Sequence, residues 1–557
     1  MLRSLTFTAI ALTAMSGCDG TLANVDDAGG AYGTSNQPGI DGADSQDSDR
    51  ALRCSDVEPP AMGHIRRLTE REYANTLRAA FPDIDSLVVP QFEDANPTIG
   101  FGNDPSLLAI NSVNVDPLYA SAESNGGILV NEYQPLADCI AENGPDCFLA
   151  VIDTLTPTLW RRPATDDERQ ALLEKIEAIA QAGGSRVERG EFLAQALLLS
   201  TNMLYRSELA DSVRGTLSSY DLASAMSYSF WSSPPDDELL RLAASDELQQ
   251  PEVLQQQAER MSQDPRFAQT LTEFFVDLLK LDSLMSLDKA SSLGLTPDVR
   301  RAMLDGARAD LAAVLSDPSS TLLSAFERNP SWVEPLTAPF YGIAQVDEGS
   351  SLELPENERW GILTHPAFLS VHAGVEASGI VQRGVFTLEQ LLCFKIPPPP
   401  DNVSGVAELP PDFDPDTASS REQFEIEHSG QPACAACHIV IDPAGFGFEN
   451  YDSAGRYRTV EKATIPIDAS GSIVLDDETL TFSDSVDYIQ AIENSTTFRS
   501  CLSERLLTYI LGESASLCER DTFREAIASG LSPIHDLPAA IVASPSFTAR
   551  SSEGSNP

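Results

Sequence analysis

Thr165-Asp166-Asp167-Glu168-Arg169-Gln170-Ala171-Leu172-Leu173-Glu174-Lys175-Ile176-Glu177-Ala178-Ile179-Ala180-Gln181-Ala182-Gly183-Gly184 is the run whose reading sets the fold class. Its first four residues form a capping box, in which the threonine hydroxyl and the third-following glutamate satisfy amide N–H groups that helix geometry leaves unpaired. Leu172, Leu173, Ile176 and Ile179 return at helical spacing, and the glycine pair stops the run. The same opening stands at Thr69-Glu70-Arg71-Glu72, and helical patterns cover 191–204, 220–231, 236–244, 251–261, 267–279, 297–315 and 317–328. Strand-like alternation is confined to 463–467, 472–475 and 479–482, which predicts a small antiparallel ribbon, and helices over 485–492 and 498–511 follow it. The expected fold is therefore mainly α: a multidomain helical body with a small β-ribbon near its C-terminal end.

Composition narrows the function classes. A chain of 557 residues with 42% hydrophobic side chains can bury several cores. Its 84 acidic against 36 basic residues give a formal charge of −48. Phosphates would be repelled, so nucleic acid is not an expected partner. At the start, Arg3, an apolar run from Leu5 to Met15 and then Ser16-Gly17-Cys18 read as an export signal with a lipobox, making Cys18 the acylated first residue after cleavage. The apolar run is far shorter than a bilayer span, so the expected membrane partner is reached through a lipid and not by a crossing helix. The expected location is the cell envelope, on a periplasmic face or the outer surface. Residues 18–51 are poor in large apolar side chains and read as a tether.

The residues that carry chemistry are Pro432-Ala433-Cys434-Ala435-Ala436-Cys437-His438. Two thiols at this spacing can add to the two vinyl groups of haem while the next residue, His438, reaches the iron, which predicts one covalent haem c. A redox dithiol would ordinarily come with a βαβ context, and a zinc knuckle with a second ligand pair; neither is present in the sequence. In the run that follows, Gly445 and Gly447 would let backbone approach a flat ring, and Phe446, Phe448, Tyr451 and Tyr457 would wall its apolar faces. Arg456 and Arg458 are the candidates for the propionates, because a guanidinium fork matches a carboxylate. The last methionine is Met303, so the iron's second axial ligand would be a histidine, with His365 and His428 the leading candidates beside His372, or the position would stay open.

This stretch resembles the cytochrome-c-like segment of a multidomain family frequent in planctomycetes and myxobacteria, catalogued as domains of unknown function 1587, 1595, 1592, 1588 and 1585. Arg66-Arg67-Leu68-Thr69-Glu70-Arg71-Glu72-Tyr73-Ala74-Asn75-Thr76 resembles the opening domain, and Trp160-Arg161-Arg162-Pro163 through Glu168 the second. Tyr220 to Tyr341 is similar to the third. Arg359-Trp360-Gly361-Ile362-Leu363-Thr364-His365-Pro366, with Arg383-Gly384 and Leu391-Leu392-Cys393, resembles the fourth, and Cys501 with Leu506-Leu507-Thr508-Tyr509 the last. Thr272-Glu273-Phe274-Phe275-Val276-Asp277 lacks the tryptophan common in the third domain, and Leu511-Gly512-Glu513 replaces the usual Gly-Arg. The resemblance implies an exported c-type cytochrome-like protein but carries no reaction with it.

The expected organisation is a signal peptide (1–17), a tether (18–51), helical domains at 52–150, 151–212 and 213–350, and a domain before the haem segment (351–400). A Pro/Asp-rich connector (401–425), the haem segment with its ribbon (426–484) and a C-terminal helical domain (485–550) follow. Setting Cys18 and the Cys434/Cys437 pair aside from nine cysteines leaves six, an even number in an exported chain. Short loops close most readily, so Cys139 with Cys147 and Cys501 with Cys518 are the expected disulfides, an arrangement the resemblance also suggests, and Cys54 with Cys393 follows by elimination. Three functions remain open: a c-type cytochrome acting with a redox partner protein or as the haem-bearing part of an oxidoreductase, a peroxidase-like haem enzyme, and a haem-free surface scaffold with Cys434 bridged to Cys437.

Overall fold

Helix starts are written by side chains that accept from the first free amides. Thr69 opens α1 (Glu70–Ala80), and Asn111 opens α2 (Ser112–Glu132). After α3 (Cys147–Leu159), Thr165 and Ser185 cap α4 (Asp166–Gln181) and α5 (Arg186–Leu198) with the same reciprocal glutamate contact seen at α1. The computed structural model describes residues 65–548 except 93, 95–96, 98–99, 142–146, 210–214, 328–331, 348, 398–408, 430–431 and 513–531. Cys18, Cys54 and Cys518 lie outside the described residues.

Helices α1 to α5 close around one apolar cluster that includes Tyr73, Leu77, Leu129, Ile152, Leu155, Leu193 and Leu197, all nearly fully buried. A short antiparallel pair, β1 (Ile65–Arg67) with β2 (Tyr205–Ser207), ties the start of this bundle to its end. Helix α6 (Ser219–Trp231) is a shared wall: Tyr228 belongs to this first core, while Phe230 and Trp231 belong to a second. That second core takes in Phe274 and Phe275 of α7 (Pro265–Leu278), Leu311 of α8 (Pro297–Leu315) and Phe368 of α9 (Pro366–Val371). It continues through α10 (Ile380–Phe386), α12 (Pro432–Phe446), α13 (Ser485–Glu493) and α14 (Thr496–Leu511) by way of Ile441, Tyr451, Tyr488 and Leu507, while α11 (Ser420–Ser429) packs on α12 outside this core. Segments 213–350, 351–400, 426–484 and 485–550 thus contribute to one core.

Most helical expectations hold, including 297–315 at both bounds. The run 317–328 does not. There the Asp317 carboxylate accepts from the Ser319 amide at 2.9 Å, a turn that competes with helix, and only Ser324–Glu327 coils. The ribbon is a hairpin of β3 (Gly471–Leu475) and β4 (Glu478–Phe482), whereas Ile465–Pro466 pairs back with Val460–Glu461. The connector's expected extended run ends earlier than predicted, because α11 begins at Ser420. No helix among the described residues is long and apolar enough to cross a membrane.

Cys139 and Cys147 form the expected disulfide. The second pairing is corrected: Cys501 bonds to Cys393, 108 residues away, and not to Cys518, so the Cys54–Cys393 assignment falls with it. Tertiary packing overrides loop length here. Cys501 lies on the buried face of α14, and Arg505 one turn on donates to the carbonyls of Glu389 and Gln390. Cys393 follows in a left-handed turn at φ 55° that brings the two Cα atoms to 5.5 Å.

Buried arginines hold loops to this framework. Arg383 is fully buried and donates to four main-chain carbonyls, those of Leu369, Phe448, Tyr451 and Asp452, at 2.8–3.0 Å. Arg359 does the same for Phe340, Thr364 and Gly455, and Arg161 for Leu159, Asn202, Met203 and Tyr205. Five N–H groups in a fixed fork are well suited to satisfying carbonyls that irregular backbone leaves inside a core.

Candidate functional site

Helix α12 carries the motif. Pro432 suits the first helical position, where its missing N–H costs nothing. Cys434, Cys437, His438, Ile441 and Asp442 are then spaced by three and four residues, so they share one face. Both cysteines are half-buried and unbridged. His438 Nδ1 and Asp442 Oδ1 lie 2.6 Å apart. Asp442 is 4% exposed, and its other carboxylate oxygen is buried without a partner among the described residues. Burial pushes the Asp442 carboxyl up, and the hydrogen bond from His438 works against that rise.

One flank of the His438 ring is covered by α11. His428 stacks on His438 with centroids 4.4 Å apart and planes 20° from parallel, and Phe424 packs in turn on His428 at 3.8 Å with its plane tilted by 39°. His428 Nδ1 is 3.1 Å from the Phe424 carbonyl, which keeps that ring against its own helix. Two imidazoles bound to opposite faces of a porphyrin would point at each other through the iron. His428 and His438 lie face to face, so these rings do not stand as an opposed pair.

His365 is placed elsewhere. It caps α9, with Nδ1 accepting the Ala367 amide at 3.1 Å, and its Nε2 is buried near Gly306 of α8 without a hydrogen bond among the described residues. Burial and the nearby Arg359 charge push it down to about 3. His372, pushed down to about 3 chiefly by burial, has Nε2 3.0 Å from the Leu279 carbonyl. Its ring lines an apolar cleft of about 480 Å³ with Val371, Val381, Val385 and Phe386. A second cleft of about 450 Å³, on the other side of Val381, is walled by Phe424 of α11 and by Arg458 and Lys462.

The glycines and aromatics after the motif serve packing rather than a flat ring. A Cβ on Gly445 would sit 2.1 Å from the Ile380 carbonyl oxygen, and one on Gly447 2.3 Å from the Tyr488 ring. Close approach is indeed what glycine permits, but the approaching groups are α10 and α13. Phe448 and Tyr451 are fully buried; Phe448 packs edge-on against Tyr488, Tyr451 against Tyr457, and the Tyr451 hydroxyl donates to the Glu358 carbonyl at 2.7 Å. Of the expected four, only Phe446 faces the motif's side, through Phe424 at 5.9 Å. Arg456 is paired with Asp452 at 3.3 Å, and Arg458 with buried Glu449 at 3.1 Å, so both guanidinium groups already hold carboxylates of the chain.

The donor set present fits a covalently held haem: two free thiols one turn apart, and an imidazole whose Nδ1 is engaged, leaving Nε2 for a metal. A three-ligand cluster suited to a bare metal ion does not occur among the described residues. Asp442 is a site residue that the sequence reading misses. The signal was there, since an acid four residues after a helical histidine shares its face.

Against this geometry, residues 359–461 match PSCyt3, a protein of unknown function (DUF1588), and residues 217–343 match PSD4, a protein of unknown function (DUF1592). These are the fourth and third of the five domains in the resemblance, and both names belong to planctomycete cytochrome-like domains. The first match contains Cys434, Cys437, His438 and Asp442. No curated protein and no solved structure matches the chain.

Proposed function

We propose that this chain is an exported, lipid-anchored, c-type cytochrome-like protein that works in electron transfer or as the haem-bearing part of an oxidoreductase. The single observation that carries the reading is the face of α12, where two unbridged thiols stand beside an imidazole oriented by a buried acid. Haem bound there would supply a one-electron centre. The thiols would anchor it, and His438 Nε2 would be the axial donor. The lipid at Cys18 would keep the protein at a membrane surface, where a redox partner meets it, and the acidic surface would favour a basic one. The free thiols speak against the bridged, haem-free scaffold.

A peroxidase-like activity is the second reading. It is favoured by the face-to-face stacking of His428 on His438, which does not place His428 as a second protein ligand. The test is an absorption spectrum of the full chain made with a cytochrome c maturation system. Covalent haem is expected in the wild type, with loss in the Cys434→Ala, Cys437→Ala double variant. A wild-type protein that matures without haem would overturn the proposal. Intact mass should show an acylated Cys18, and a soluble, unacylated wild type would remove the anchor from it.

A further inference from the structure

Histidine alone in water favours the tautomer with the proton on Nε2, the nitrogen a haem iron needs bare. His438 is not alone: Asp442 Oδ1 stands 2.6 Å from its Nδ1. The two residues are separated by four positions on one helix, so backbone geometry, and not a flexible loop, sets their spacing. Asp442 is 4% exposed, its second oxygen has no partner, and no side chain other than His438 bonds to either oxygen among the described residues. His428 stacked on the ring restrains rotation from one face.

We infer that Asp442 is a positioning residue for His438: it holds the proton on Nδ1, directs Nε2 away from the helix as the metal donor, and makes that donor more basic. A second-layer carboxylate acts this way on metal-bound imidazoles generally, by fixing tautomer and ring orientation and increasing electron donation. Greater donation stabilises ferric over ferrous iron, so the carboxylate lowers the midpoint potential. The inference rests on the haem reading for its redox consequence. Its tautomer consequence is independent of haem.

Two measurements on the full chain separate the failures. In protein labelled with nitrogen-15 histidine and free of haem, six rings are to be resolved, and His438 is assigned by its loss in His438→Gln. At pH 8 the wild-type ring should be the Nδ1–H tautomer, and Asp442→Ala should move it to the Nε2–H form. A wild-type His438 in the Nε2–H form overturns the inference whether or not haem binds. In haem-loaded protein, Asp442→Asn and Asp442→Ala should retain covalent haem, shift the midpoint potential upward and lower the iron–histidine stretching frequency of the ferrous form. Loaded variants with unchanged potential and stretch overturn the electronic part. A wild type that takes no haem while His438 still shows the Nδ1–H tautomer defeats the function proposed above and leaves the positioning role supported.

Discussion

The two halves of the stretch from Cys434 to Arg458 are built on opposite plans. From Cys434 to Val440 the helix face is half-exposed, with Ile439 69% open to solvent, and its reactive groups form no disulfide, Cys437 only resting partly buried against the edge of the core. From Ile441 to Ser453 nearly everything is buried, Gly445 meets the Ile380 backbone and Gly447 the Tyr488 ring, and Arg383 clamps three of the carbonyls. The first half keeps donors available and the second makes the platform that aims them. Substitutions should therefore divide, with loss of folding the main effect from Ile441 onward, Asp442 excepted, and little effect on folding before it.

The largest effect is expected at Arg383. Arg383→Met would take a donor from four buried carbonyls, of which those of Phe448 and Asp452 keep the backbone amides of Tyr451 and Gly455, and urea denaturation should show a loss of about 4 kcal/mol or more, or no soluble protein. A loss under about 1 kcal/mol would erase the contrast between the halves. Next comes Gly445→Ala, whose Cβ must displace the Ile380 backbone and separate α10 from α12 at a cost of about 3 kcal/mol. A neutral result would mean that the two helices do not meet there.

A smaller effect of about 2 kcal/mol concerns Glu493, which supports the platform through Trp360, the neighbour of the Arg359 clamp. The Trp360 ring N–H donates to its carboxylate at 3.1 Å, and burial pushes Glu493 up to about 7. The folded chain therefore holds this proton more tightly than the unfolded chain, which releases it near 4.5. Stability from this group is present below that pH and is lost as pH rises through about 7. In Glu493→Gln that portion of the pH dependence should vanish, read as the wild-type minus variant difference in denaturation midpoint between pH 4.5 and 8; a constant difference would refute it. The smallest effect on stability belongs to the motif itself. Cys434→Ala with Cys437→Ala should change the unfolding free energy of the haem-free chain by no more than about 0.5 kcal/mol. Unfolding of that variant would show that the thiols are core residues after all.

The shared face of the first half is legible from residue spacing alone, because a helix converts separations of three and four into one face whatever surrounds it. Capping boxes at Thr69 and Thr165, most helix spans and the Cys139–Cys147 bridge were legible for the same reason: each depends on neighbours within a few residues. Asp442 was equally local, and its role needed only the observation that it follows His438 by one turn. Gly445 and Gly447 mislead in a different way. A glycine announces that something approaches closely, but nothing in its surroundings along the chain says whether that is a porphyrin, a helix or a tyrosine. Arg456 and Arg458 raised the same difficulty, since a fork that matches a propionate matches Asp452 and Glu449 equally well.

What the sequence by itself determined is the set of local geometries: which segments coil, where they start, and which side chains share a face of α12. What only the tertiary structure decided is every pairing between distant segments: Cys393 with Cys501, Arg383 with four carbonyls, and His428 against the flank of His438. The physical reason is that short-range geometry is imposed by covalent chain connection. Long-range partners are selected by how whole helices fit together, and burial rewards many alternative fits until the complete core excludes all but one.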